Sequence, residues 1–307
     1  MKTIIVRTIN WMYFVIENIL YRFLFQKRPL YIKKYKLSLC GIFKNEAPFL
    51  KEWIDYHRLV GVEHFYLYNN NSSDNFNDIL FPYIQEGIVT LIEWPYNQAQ
   101  IEAYKNFYDE YRNETQWVSF LDIDEFIVPK KHDTILDWIK GTNMEKYPAI
   151  LIYWKMFGTT GKMNHNFSQF VIEQYINSWE SYYNWGKCIL NTDYDIVTFD
   201  SSTHHCPQLK INNKYFKFKT FPINNFGIFI LPQINILRNN KTSIQINHYW
   251  SKSWDVYSKK REMTDVYFKE NPKKNLSYFY EHELMNTSTD YVIYRFLTKL
   301  KLEYNRL

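Results

Sequence analysis

Val118, Ser119, Phe120 and Leu121 form a short run of strand type that leads directly into Asp122, Ile123, Asp124 and Glu125, before apolar residues resume at Phe126. Side chains two apart in an extended segment point to the same face, so Asp122 and Asp124 are expected on one side and Glu125 on the other. Two carboxylates on one face make a hard-oxygen site suited to Mg2+ or Mn2+. Such an ion keeps coordination positions for phosphate oxygens and neutralises the charge that builds up as a bond to phosphate breaks. The chemistry suggested is activation of a diphosphate leaving group. The structural alternative is that these carboxylates cap a following helix or simply end the strand, and a lone D-x-D arises often by chance.

The elements that must position this pair follow a regular pattern. Leu37 to Phe43 reads as a strand, Lys44-Asn45-Glu46 breaks it, and Pro48 sits where the first turn of a helix tolerates proline. Phe49, Leu50, Trp53, Ile54, Tyr56, His57 and Val60 recur near helical spacing, with Gly61 as the stop. A second strand at His64 to Tyr68 closes in the loop from Asn69 to Asp74; a helix over Phe76 to Gln85 and a strand over Ile88 to Glu93 follow. Gln98 to Arg112 is helix-like, and Trp117 to Leu121 is the fourth strand. This alternation predicts an α/β fold with a mostly parallel sheet and helices on both faces. Right-handed connections make the chain up to about residue 140 a Rossmann-like half. Ligands of such sheets bind beyond the carboxyl ends of the strands, where the acidic stretch falls.

After Lys140 the alternation weakens. Ala149 to Met156 is a good strand, the region to Ile246 yields no topology, and the chain from Trp254 onward is helical in character with Pro272 as a break. The expected division is an amphipathic helical segment at 1–35, the catalytic domain at 36–250 and a helical extension at 251–307.

With 46% hydrophobic and 22% charged residues, the 307-residue chain is globular rather than disordered. The net charge of +5 is too small and dispersed to argue for nucleic acid, but suits a phosphate-bearing ligand or an anionic membrane surface. Cys40, Cys188 and Cys206 form no C-x-x-C, so neither a disulfide framework nor a thiolate zinc site follows, and a reducing compartment is the simpler reading. The stretch from Thr8 to Phe25 is apolar and aromatic but interrupted by Glu17 and Arg22. It falls short of the ~20 apolar residues of a membrane span and has no small-residue cleavage site. Followed by Lys27, Arg28, Lys33 and Lys34, it fits an amphipathic helix on an anionic membrane surface, and equally a helix packed on the domain.

Several segments resemble bacterial relatives of glycosyltransferase family 92 and the family 2-like transferases near them: CGIFKNE at Cys40 to Glu46, EWIDYHRLVGVEHFYLYNNNSSD at Glu52 to Asp74, WVSFLDIDEF at Trp117 to Phe126, FGTTG at Phe157 to Gly161, GKCI at Gly186 to Ile189 and NHYWSKS at Asn247 to Ser253. The resemblance implies a GT-A fold and sugar transfer from a nucleotide-sugar donor, a UDP-sugar favoured. It places Asp122 and Asp124 on Mn2+ or Mg2+ and the donor diphosphate, with His248 completing the metal shell. Lys44, Asn45 and Glu46 would border the nucleotide, and Gln100 and Tyr104 would touch the donor. Asn69 stands where relatives often carry Asp. The resemblance also implies a glycan or lipid-linked acceptor, an acceptor-side role for His204 or His205, and a setting at the cytoplasmic face of a bacterial inner membrane.

Inverting transfer needs a base within reach of the acceptor hydroxyl. Glu125, Asp255 and Glu180 are the candidates, none singled out. Lys187 would meet a phosphate or acceptor oxygen, or else solvent. Adjacent His204-His205-Cys206 cannot easily ligate one zinc ion. Trp154, Trp179, Trp185 and Trp250 could stack on an acceptor sugar but are more often core. The rival readings are a nucleotidyl- or phosphotransferase using the same carboxylates, and a non-catalytic carbohydrate-binding or membrane-associated scaffold.

Overall fold

The computed structural model describes residues 31–198, 208–212, 217–220, 222–227, 241–263, 269–271 and 274–304, with helical backbone at positions 8, 9, 11, 12 and 15. The first half alternates as its hydrophobic periodicity dictates: β1 (Tyr35–Phe43), α1 (Ala47–Leu59), β2 (His64–Asn69), α2 (Phe76–Gln85), β3 (Val89–Glu93), α3 (Gln100–Glu110) and β4 (Thr115–Phe120). Pro48 lies in the first turn of α1, and Gly61, at φ +95°, turns the chain out of that helix. A residue with a Cβ adopts that conformation only under strain.

The second half contains β5 (Glu125–Pro129), α4 (Ile135–Gly141), β6 (Ala149–Met156), α5 (Val171–Gln174), β7 (Asn177–Ser178), β8 (Gly186–Asn191), β9 (Ile196–Thr198), β10 (Gln208–Asn212), β11 (Lys217–Thr220), β12 (Ile223–Asn224) and β13 (Ile244–His248). It closes with α6 (Trp254–Glu262), α7 (Leu276–Glu283), β14 (Ser288–Thr289), a 3-10 turn at Val292–Phe296 and α8 (Leu297–Tyr304).

The main sheet has the order β3-β2-β1-β4-β8-β6-β13-β5, with β12 also against β6. The pairs among β3, β2, β1 and β4 are parallel, as the alternation predicts. Strand β8 runs antiparallel to both β4 and β6, and β5 runs antiparallel to β13. These antiparallel strands leave no mark in the local periodicity, since an apolar run looks the same in either direction. Strands β4 and β5 are consecutive in the chain yet separated in the sheet by β8, β6 and β13. The acidic stretch occupies the point where the chain leaves one part of the sheet for another, the kind of position at which α/β crevices open.

Alternation along the central strands splits the core into two layers. Leu37, Leu39 and Phe43 of β1, Phe65 and Leu67 of β2, and Ile150, Ile152 and Trp154 of β6 pack with Trp53, Ile54 and Leu50 of α1. Cys40 and Ile42, Tyr66 and Tyr68, and Leu151 and Tyr153 face the other way, toward Tyr104, Phe107 and Tyr108 of α3. Period-2 side-chain direction is what assigns each residue to its layer. The C-terminal Ile293, Phe296 and Leu300 join the α1 layer, where Phe296 meets the Tyr56 ring edge-on at 5.8 Å. Together these features are the GT-A architecture, a curled α/β sheet with helices on both faces.

One close approach fixes the site. A Cβ on Gly186 would stand 1.7 Å from the Ile152 carbonyl oxygen, so only glycine lets β8 lie this near β6 at the Gly186–Tyr153 pair. The next residue of β8 is Lys187.

Candidate active site

Five segments converge beyond the carboxyl ends of β1, β2, β4 and β13: the loop 44–46, the loop 70–75, the turn 121–124, the loop 249–253 and helix α6. Asn45 clasps the first two, its backbone N–H donating to Ser72 Oγ at 3.0 Å and its Oδ1 accepting from Ser73 N–H at 2.7 Å. Its left-handed φ of 55° is one that asparagine tolerates better than most residues. Asp74 Oδ2 accepts the N–H of Ala47 at 2.8 Å.

The acidic stretch is a turn, not a continued strand. Glu125 N–H donates to the Asp122 carbonyl at 3.0 Å, and Asp122 N–H donates to Glu125 Oε2 at 3.0 Å. The same-face argument for Asp122 and Asp124 therefore lapses, because it holds only for extended backbone. The two aspartates take different partners. Asp122, 35% exposed, meets Lys187 Nζ at 3.1 Å through Oδ2 and Gln100 Nε2 at 3.1 Å through Oδ1. Asp124 meets Lys260 Nζ at 3.0 Å and Lys252 Nζ at 3.9 Å through Oδ2, and His248 Nε2 at 3.5 Å through Oδ1. Lys260 bridges on to Glu46 Oε1 at 2.7 Å.

The pairing of β13 with β5 explains how His248 arrives. His248 stands opposite Glu125 in that ladder, and Tyr249 N–H continues it by donating to the Asp124 carbonyl at 2.8 Å. Beyond it the chain passes through Lys252, whose φ of 52° is left-handed and whose side chain is 1% exposed. A buried, long-chain residue in that conformation is strained, and such strain concentrates at functional sites.

Three lysines thus face four carboxylates, Glu46, Asp122, Asp124 and Glu125. Burial pushes the Glu125 carboxyl well up, further than Lys187 can pull it down, and so favours its neutral form. Burial opposes the Lys187 ammonium, but the Asp122 carboxylate overcomes this and holds it above the usual lysine range. Burial likewise raises Asp124, but Lys260, Lys252 and His248 prevail and hold it well below the usual carboxylate range. Lys252 is the exception: burial, then repulsion by Lys260, lowers it to about 8. With Glu125 neutral the cluster lies near charge balance.

It is not balanced in hydrogen bonds. Glu46 Oε2, Glu125 Oε1, His248 Nδ1 and Lys252 Nζ are buried with no hydrogen-bond partner. Such groups cost roughly 1–3 kcal/mol each when left unpaired, and Glu46 Oε2 and Lys252 Nζ, on side chains that flank Asp124, are available to a polar ligand. The donor chemistry fits a divalent cation. Asp124 and His248 supply an oxygen and an imidazole nitrogen 3.5 Å apart, a separation compatible with two ligands of one ion. No three His, Cys, Asp or Glu side chains converge on a single metal position among the described residues. Two protein ligands suffice for ions of this class when phosphate oxygens complete the shell.

Other residues singled out in the sequence have other employment. The Asn69 amide donates to Glu93 Oε2 at 2.8 Å and accepts Ser72 N–H at 3.0 Å, so it links the ends of β2 and β3 to the loop 70–75. Tyr104 is buried and accepts from Gln100 Nε2 at 3.0 Å, which makes it a support for Gln100 rather than a donor contact. Lys44 is half-buried in the loop after β1. Lys187 is buried against carboxylates, not solvated.

Among the proposed bases, Glu125 is wholly enclosed and cannot reach an acceptor hydroxyl. Asp255 Oδ1 accepts from His165 N–H at 3.1 Å, Val256 N–H at 2.9 Å and the Ser253 hydroxyl, a role at the start of α6. Glu180 is exposed, and its carbonyl accepts from Lys155 Nζ at 3.0 Å. Trp154 and Trp250 are core residues, with Trp179 and Trp185 packed against that core. His204, His205 and Cys206 lie outside the described residues, as do Lys27 and Arg28. Lys33 is tied to the domain, donating to Thr192 Oγ1 at 2.9 Å and lying 3.6 Å from Asp193. No helix among the described residues is long and apolar enough to cross a membrane.

Sequence reading alone missed Lys252 and Lys260. Lysines are rarely buried without a partner, so a charged helix is read as solvated; the one available signal was Lys252 within the NHYWSKS segment.

The sequence model of glycosyltransferase family 92 matches residues 33–292. The chain belongs to glycosyltransferase family 92. A family 92 protein of Ricinus communis is 36% identical over 100 residues, 32% of this chain and 17% of that protein. A galactan beta-1,4-galactosyltransferase of Arabidopsis thaliana is 30% identical over 133 residues, 39% of this chain and 26% of that protein. The family 92 chain thus spans only a minor part of the length of these relatives. Among solved structures, residues 1–349 of Staphylococcus aureus TarS align at a TM-score of 0.35 with 12% identity, over 51% of this chain and 47% of that one. A mannosyltransferase from Pyrobaculum calidifontis aligns at 0.30 with 14% identity, over 49% and 44%. The crevice around Asp122 and Asp124 is the candidate active site of this family 92 chain.

Proposed function

We propose that this family 92 enzyme transfers a hexosyl group, galactose favoured, from a UDP-sugar to a glycan or lipid-linked acceptor, with inversion and with Mn2+ or Mg2+. The observation that carries the reading is the acidic turn at the switch between β4 and β5, ringed by three lysines and four buried polar atoms without partners. A galactan galactosyltransferase among the relatives supports galactose.

Asp124 and His248 would hold the divalent ion, with Asp122 beside them. When bound, the ion supplies positive charge to the diphosphate as the sugar departs. Lys187 fixes Asp122 from below, and Gln100 steadies its other oxygen. Glu125 holds the turn through the Asp122 N–H. Loops 44–46 and 70–75, clasped by Asn45, form the wall against which the nucleotide rests. Layers of buried aromatic and aliphatic side chains beneath keep these groups preorganised, which makes their fields count at the reacting bond. The apolar stretch from Thr8 to Phe25 supports an encounter with the acceptor at the cytoplasmic face of a membrane; co-sedimentation with anionic vesicles, lost on deletion of residues 1–33, tests that part.

The test of the reaction is a panel of nucleotide sugars incubated with the protein and Mn2+. Metal-dependent release of nucleoside diphosphate from one donor is expected. Pyrophosphate release from a nucleoside triphosphate would instead make the chain a nucleotidyltransferase, and absence of any donor binding would make it a scaffold.

A further inference from the structure

Lys260 occupies an unusual place for a helix lysine. Its ammonium lies 3.0 Å from Asp124 Oδ2 and 2.7 Å from Glu46 Oε1, bridging helix α6 to the acidic turn and to the loop after β1. Asp124 is the carboxylate that the proposed function places on the divalent cation, and His248 Nε2 lies 3.5 Å from its other oxygen. A second ammonium, Lys252, stands 3.9 Å from the same Asp124 oxygen and has no hydrogen-bond partner. A dication beside Asp124 would stand close to two ammonium groups that already lie 3.0 and 3.9 Å from one Asp124 oxygen, in a poorly solvated place where like charges a few ångströms apart repel strongly. Only an anion arriving with the metal offsets that repulsion.

We infer that Lys260 is a built-in counter-cation that holds Asp124 against divalent metal until a nucleoside diphosphate group arrives to take the lysine over. Metal and donor then bind with strong mutual dependence: the diphosphate gives Lys260 and Lys252 new partners, and Asp124 is released to the ion. Coupling of this kind is reciprocal by thermodynamic necessity, so the metal strengthens nucleotide binding by the same factor. This rests on the sugar-transfer reading of the site, but it makes a separate claim about one side chain.

The experiment measures Mn2+ binding, by the electron paramagnetic resonance signal of the free ion, for the unmodified protein and for Lys260→Met, each with and without UDP or GDP. Circular dichroism checks that the variant is folded, and Lys260→Arg retains the charge as a second variant. The unmodified protein and Lys260→Arg are expected to bind Mn2+ at least ~10-fold more tightly with the nucleotide than without it, a coupling of about 1.4 kcal/mol. Lys260→Met is expected to bind Mn2+ without nucleotide at least ~10-fold more tightly than the unmodified protein, with the coupling largely gone. Should the unmodified protein bind Mn2+ equally well with and without nucleotide, the inference is overturned whatever the variants do. Equal nucleotide-free affinity in Lys260→Met and the unmodified protein overturns it as well, while the sugar-transfer reading stands. Failure of every form to bind UDP or GDP with Mn2+ removes both.

Discussion

Lys187 Nζ lies 3.1 Å from Asp122 Oδ2 and 3.7 Å from Glu125 Oε2, with its side chain 1% exposed. The lysine is thus the floor on which the acidic turn stands. Replacing it by methionine keeps the volume but leaves Asp122 and Glu125 facing each other without a cation. Asp122 is 35% exposed and Glu125 favours its neutral form, so solvent screens the loss and the cost is about 1 kcal/mol rather than that of a wholly buried pair. Lys187→Met is expected to lower the urea midpoint by a corresponding amount at pH 8, and an unchanged midpoint would show that the pair is not buried as described.

A second relationship sets an acid limit on stability. His57 Nδ1 donates to the Trp53 carbonyl at 2.8 Å, and Nε2 accepts the Ile127 N–H at 3.3 Å, so the ring is held neutral. Burial lowers its pKa to about 3, against the smaller opposing effect of Trp53. In the unfolded chain a histidine titrates near ~6.5. Below that the unfolded chain takes up a proton that the folded chain refuses, so the contribution is intact above about pH 6.5 and declines toward pH 3 by up to roughly 1.4 kcal/mol per pH unit. His64 and His165, lowered by burial to about 4, act in the same direction, whereas Glu52, raised by burial to about 7, acts oppositely. A His57→Gln variant should be less stable at pH 8 yet decline less steeply between pH 6.5 and 4.5. An identical slope for both proteins would refute the assignment.

Asn69 and Glu93 are paired across β2 and β3, and the amide donates to the carboxylate at 2.8 Å. Asn69→Asp would set two carboxylates at hydrogen-bonding distance. A loss of about 1 kcal/mol at pH 8 is expected, since Glu93 is exposed and like charges across strands cost no more than that. The loss should shrink in about 1 M salt, which screens exposed charges. A loss of the same size at low and high salt would mean that packing, not charge, holds this position.

Much of the first half was legible because each of its elements is amphipathic on its own. Phe76–Gln85 and Ala149–Met156 are found where their apolar pattern puts them, and β1 to β4 pair in parallel as the alternation requires. The insertion of β8 between β4 and β6 was not legible, since strand direction and neighbour are set by long-range pairing that period-2 patterning does not encode. The same limit applies at the site. The position of Asp122 and Asp124 beyond a strand could be read, but their separation onto different partners depends on a turn closed by Glu125. Lys252 and Lys260 come from a segment more than a hundred residues away, carried in by β13 and α6.

The central claim is that the Asp122–Asp124 turn serves a metal-bound diphosphate during sugar transfer. The most direct measurement is the initial rate of nucleoside diphosphate release from the donor found in the panel, with Mn2+ saturating, for the unmodified protein and for Asp122→Asn/Asp124→Asn. Loss of this electrostatic support should lower the rate by roughly a hundredfold or more. A folded double variant that releases the nucleoside diphosphate at the unmodified rate would contradict the account.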